Sequence, residues 1–106
     1  MRPQVVTQTN AGSTAWIPVD WRSNPFNLSF GCVIASGTPT YKVEHTFDNV
    51  LDPSVTPTAF THEFVTASTV SDDGNYAYPV TAVRLTVSSG TGVVTMTVLQ
   101  PGGNGK

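Results

Sequence analysis

A chain of 106 residues with five basic against seven acidic side chains has the length of one domain and lacks the basic stripe that a nucleic-acid groove needs to displace counterions. Charged residues make up 11% of the sequence, well under the roughly one quarter of an ordinary globular domain, so Thr, Ser and Asn must keep the surface wet. The lone cysteine, Cys32, excludes an intrachain disulfide, and no apolar run approaches the roughly 20 residues of a membrane-spanning helix.

The start, MRPQVVTQTN, has no apolar leader core, so synthesis in the cytosol without signal-peptide export is expected. Apolar residues do not recur at helical spacing, whereas period-two alternation recurs throughout, which predicts strands from end to end. Residues 1–12 read as an extended N-terminal arm. STAWIPVDW follows as a strand that Pro18 assigns to a sheet edge or bulge, and RSNP (22–25) as a turn. In NLSFGCVI, Leu28, Phe30, Cys32 and Ile34 share one face. After a turn at SGTP (36–39), TYKVEHTFD sets Tyr41, Val43, His45 and Phe47 against Lys42, Glu44, Thr46 and Asp48, the pattern of a strand with one wet side.

NVLDPSVTPT (49–58), with two prolines, reads as a long surface loop. AFTHEFVTA predicts a strand that groups Phe60, His62 and Phe64, and SDDGN (71–75) a turn. VTAVRLTV and VVTMTVLQ align Val83, Leu85 and Val87 against Val94, Met96 and Val98, joined as a hairpin by SSGTG (88–92), whose glycines supply positive φ. PGGNGK (101–106) reads as a flexible Gly-rich tail. These elements predict an all-β chain, a single-domain antiparallel β-sandwich over 13–100 with about seven or eight short strands, immunoglobulin-like or jelly-roll.

Little in the sequence carries chemistry. If the strands of His45 and His62 pair, the two imidazoles meet, but a closed zinc site needs four ligands and the flanking glutamates point the other way. Asp72, Asp73 and Asn75 lack the alternating ligands of a calcium loop and read as a capped turn. No nucleophile motif is present, and Cys32 lies on an apolar face where thiols are inert. No catalytic, cofactor-binding or metal residue is therefore expected. Trp16 and Trp21 cannot share a strand face, so one exposed tryptophan with Tyr76 and Tyr78 is a candidate platform for sugar rings.

Val43, His45, Thr46, Phe47 and Asp48 form V-x-H-T-F-D; Gly74, Tyr76, Pro79, Val80, Ala82, Arg84 and Leu85 form G-x-Y-x-x-P-V-x-A-x-R-L; Gly90 to Gln100 form G-T-G-x-V-T-x-T-V-x-Q. Over roughly residues 40–101 this pattern resembles the small virion structural proteins of tailed bacteriophages. The resemblance implies a non-enzymatic structural protein of the particle, a decoration or cement protein on the capsid surface, without cofactor. Its partners would be the major capsid protein or another virion protein, with self-association into a homo-oligomer and no nucleic acid or membrane. The alternative is a head-fibre or tail-appendage subunit, or a glycan- or receptor-binding module. The expected contact residues are Arg2, Val5 and Val6 of the arm, Trp21 and Arg22, Leu51 and Val55 of the long loop, and Arg84. Arg84 is a cation alone among threonines that either snorkels to water or pairs with a carboxylate such as Glu44 or Glu63 on an adjacent strand or a subunit alongside.

Overall fold

The computed structural model describes residues 3–22 and 26–101. Arg2, most of the turn expected at 22–25 and the tail beyond Pro101 lie outside them. The described chain is an antiparallel β-sandwich of nine strands: β1 Gln4–Thr9, β2 Gly12–Ser13, β3 Ile17–Pro18, β4 Leu28–Gly37, β5 Thr40–Thr46, β6 Phe60–Thr61, β7 Asp72–Tyr76, β8 Ala82–Ser89 and β9 Gly92–Leu99. One sheet runs β1-β9-β4-β7 and the other β2-β8-β5-β6, with β3 also on β8. Because β2 and β3 pair with successive parts of β8, they form one edge strand interrupted at Thr14–Trp16.

The topology follows from a single rolled hairpin. β1 pairs with β9, β2 and β3 with β8, β4 with β7, and β5 with β6, so the chain folds back on itself about its middle. Rolling that ribbon then creates the β4·β9 and β5·β8 ladders. With β2 and β3 taken as one edge, consecutive strands thus alternate between sheets, except where β5 leads into β6. An immunoglobulin sandwich keeps several consecutive strands in one sheet. Of the two expected topologies, the jelly-roll is the one adopted.

The alternation read from the sequence gives the core. Leu28, Phe30, Cys32, Tyr41, Val43, Leu85, Val87, Val94, Met96 and Val98 are all buried, facing one another across the two sheets. The hairpin expected at SSGTG is corrected by the pairing: β8 lies in one sheet and β9 in the other, so the segment is an arch between layers. Three such arches stack at one end, at Asn10–Ala11, Thr38–Pro39 and Gly90–Thr91. The Thr38 amide donates to the Thr91 carbonyl at 2.9 Å, and the Asn10 amide to the Gly92 carbonyl at 2.8 Å, so each arch satisfies polar groups of the next.

Three further expectations are revised. The N-terminal segment is not an arm but the edge strand β1, with Val6 packed on the core. Residues 72–76 are a strand on β4 rather than a turn. The strand expected around Phe60, His62 and Phe64 stops after Thr61, because the His62 imidazole captures the amides of Phe64 and Val65 at 3.2 Å each and diverts them from a ladder.

Candidate functional site

At the end of the sandwich opposite the arches, three loops leave the last pairs of β3, β5 and β8. Between them lies a groove of about 400 Å³ lined by Pro18, Val19, Trp21, Phe47, Val50 and Leu51, with Asn49 and Thr81 at its side. Trp21 and Leu51 are 53% and 76% exposed, and Phe47 beside them is half exposed, so apolar surface is contiguous across the groove.

Each wall is fixed by the backbone below it. The Asp20 amide donates to Gln100 Oε1 at 2.8 Å and the Gln100 amide group donates back to the Asp20 carbonyl at 2.7 Å. Gln100 is itself buried, so this reciprocal pair sets the loop that carries Trp21. The Arg22 guanidinium lies 5.6 Å from the Trp21 ring centroid. On the other wall, Asp48 closes the long loop by accepting from the Thr58 amide at 2.7 Å. Within the loop, Asn49 accepts from the Leu51 amide and Asp52 from the Ser54 amide and hydroxyl, Asx turns that hold Leu51 outward. The Ser54 bonds also hold the Asp52 carboxyl below its usual range.

Phe47 joins the groove to an aromatic cluster. Its ring meets Phe60 at 5.6 Å and Tyr78 at 6.4 Å, and all three are about half exposed above the buried His45. Beneath them Tyr76 sits between the histidines, 4.9 Å from each ring. β5, which carries His45, pairs with β6, and His62 follows β6 directly, yet each imidazole is engaged separately. His45 Nδ1 shares a hydrogen bond with the Tyr76 hydroxyl at 2.8 Å. His62 Nδ1 accepts from two amides, which leaves Nε2–H to donate to the Asn75 carbonyl at 3.0 Å. Among the described residues no cluster of three or more His, Cys, Asp or Glu is arranged to hold a metal.

Burial, reinforced by His62 and opposed by Glu44, lowers the His45 pKa below its ordinary 6.5. A histidine buried neutral stabilises the fold fully above about pH 6.5, and that contribution falls as pH drops from there through the folded pKa. The melting temperature is expected to fall between about pH 7 and pH 5, and the slope to flatten in His45→Gln. Equal slopes in both proteins would show that His45 is not the titrating group.

The face of β5 expected to be wet is covered. Burial alone would raise the Glu44 pKa, but hydrogen bonds from Thr86 and Arg84, with the charges of Arg84 and Lys42, hold it below 4.5. Arg84 Nε donates to Glu44 at 2.9 Å while its guanidinium lies 4.4 Å from the Trp16 ring centroid, placed there by the break between β2 and β3. Cys32 is fully enclosed, and burial, with Asp72 adding to it, pushes its thiol up to about 12, which leaves no thiolate for nucleophilic chemistry at neutral pH.

No family model and no curated protein matches the chain. A solved structure of Bacillus endospore appendages, described as forming a novel family of disulfide-linked pili, is similar over 92% of this chain and 82% of its own. Its identity is 17% and its TM-score 0.49.

Of the expected contact residues, the structure brings Trp21 and Leu51 together in the groove, with Arg22 against Trp21. Val5 is exposed on β1, whereas Val6 is turned toward the core. Val55 is half-buried in the long loop and donates its amide to Asp52. Arg84 is engaged within the chain by Glu44 and Trp16. The sugar platform does not form as expected: Tyr76 is buried and Trp16 covers Arg84, while Tyr78, about half exposed, meets the edge of Tyr76 at 5.7 Å and Phe47 at 6.4 Å. Alternation places Phe47 and Phe60 on the inner strand faces; they are exposed because β5 ends at Thr46 and β6 begins only at Phe60.

Proposed function

We propose that this chain is a non-enzymatic structural protein of a tailed-phage particle, a decoration or cement protein that seats the groove end of its sandwich on the outer capsid lattice. The observation that carries the reading is the convergence of Trp21 and Leu51, from two segments distant in sequence, on one apolar groove with fixed walls. Jelly-rolls serve in both capsids and lectins, so the fold does not choose between a protein partner and a sugar. The groove favours protein. A sugar site needs several polar groups converging on the ligand, and here the Thr81 hydroxyl is committed to the Thr46 and Asp48 carbonyls and the Asn49 side-chain oxygen to the Leu51 amide. That leaves the Asn49 NH2 and the Trp21 indole N–H as the side-chain donors of an otherwise apolar lining.

Burying each of the two exposed anchors would contribute about 1.5–3 kcal/mol, and an uncharged contact of this kind is little affected by salt. Both side chains are exposed, so Trp21→Ala and Leu51→Asp leave the core intact. Each is expected to reduce occupancy tenfold or more on particles stripped of the protein, a loss of at least about 1.4 kcal/mol. Full occupancy by both variants would remove the groove as the contact.

A further inference from the structure

The outer side of β1 differs from every other sheet edge in the described chain. β2 and β3 are two residues each and end at Pro18, β6 is two residues, and β7 carries Asp72 and Asp73. Short length, proline and charge are the devices by which edges avoid pairing with a further strand. β1 has none of them: it is six uncharged residues, Gln-Val-Val-Thr-Gln-Thr, in unbroken register with β9. No described residue pairs with its outer side.

The direction of its backbone groups follows from the neighbouring arch. The Asn10 amide donates to the Gly92 carbonyl, which makes position 10 a hydrogen-bonded pair with β9. Antiparallel alternation then turns Gln4, Val6 and Gln8 toward β9, and the amides and carbonyls of Val5, Thr7 and Thr9 toward the open side. Val5 is 60% exposed.

We propose that a second copy of this chain pairs at this edge, β1 against β1, antiparallel about a two-fold axis at Thr7. In that register Thr7 faces Thr7 of the second copy and Val5 faces Thr9, so the outward groups of both strands meet in about six main-chain hydrogen bonds. The strand is its own complement because it carries no charge to repel its copy, and threonine and valine are among the residues that pair best across strands. Two four-stranded sheets become one of eight, at the flank of the sandwich and away from the groove.

Sedimentation of the full chain tests this. The wild type is expected to dimerise with rising concentration. Thr7→Pro removes an outward amide without removing a main-chain bond to β9, losing there only the exposed hydroxyl–hydroxyl bond to Thr95, and is expected to raise the dimer dissociation constant at least tenfold with far-UV circular dichroism unchanged. Should Thr7→Pro misfold, Thr7→Lys decides, since it keeps the backbone and opposes two like charges across the axis, with the same loss expected. Thr7→Cys is expected to form a disulfide-linked dimer under oxidation, whereas Val33→Cys, exposed on β4, is not. A wild-type chain that stays monomeric at its highest soluble concentration, leaving the edge to a strand of a different protein, overturns the proposal, as does a dimer that persists in Thr7→Lys.

Discussion

Gly92→Ala is expected to lower stability by about 3 kcal/mol, the sum of a strained backbone and an overpacked contact, and the melting temperature by roughly 15 °C. Gly92 has φ 147° and Gly37 φ 77°, values that side chains with a Cβ rarely adopt. A Cβ on Gly92 would run into the Ser36 carbonyl oxygen and lie 3.0 Å from Gly37 Cα. Those are backbone atoms at the end of β4, where it enters the adjacent arch, so no side chain can rotate away. Gly31 is the internal control. It lies in β4 with nothing within 4 Å of an added Cβ, and Gly31→Ala should change stability by less than about 0.5 kcal/mol. Similar melting curves for the two variants would mean that the arches do not stack as described.

Deletion of residues 1–10 is expected to cost about 7 kcal/mol, at roughly 1 kcal/mol for each of about six ladder hydrogen bonds lost along β9 together with the part burial of Val6. That is comparable to the whole stability of a small domain, so the truncated chain should lose its cooperative thermal transition. A detachable arm would leave the melting curve untouched, and that result would contradict the placement of β1 in the sheet. The consequence for binding studies is direct: loss of particle attachment on deletion would report unfolding rather than a lost contact. Trp21→Ala and Leu51→Asp avoid that ambiguity.

The strands that form the core were legible because their alternation is strict and each buries one face. Leu28, Phe30 and Cys32, then Tyr41 and Val43, then Val83, Leu85 and Val87 are buried as their spacing predicts. What alternation does not encode is the neighbour. A glycine-rich connection such as SSGTG serves a hairpin or an arch equally well, and the choice is made by β4 and β5, which take the two sides of the corner. β1 was hidden by its Gln and Thr content, and β7 by Asp72, Asp73 and Asn75, turn formers whose preference yields to pairing with β4.

The groove was half legible. Exposure of one tryptophan follows from the spacing of Trp16 and Trp21, and two prolines mark the loop that holds Leu51 outward. Their meeting depends on the long-range Gln100–Asp20 pair and on the Asp48–Thr58 closure, neither of which leaves a local pattern. Arg84 stands out in the sequence as a lone cation among threonines, and of the partners its position allows, water, Glu44, Glu63 or a neighbouring subunit, the structure pairs it with Glu44 across its own sheet.

Cryo-electron microscopy of the phage particles on which the chain is proposed to sit tests the proposed docking most directly. The expected result is density for this jelly-roll on the outer shell, in a copy number that scales with the capsid lattice and with Trp21 and Leu51 against the capsid protein. Particles that carry no such density, or that carry it with the groove facing solvent, would contradict it.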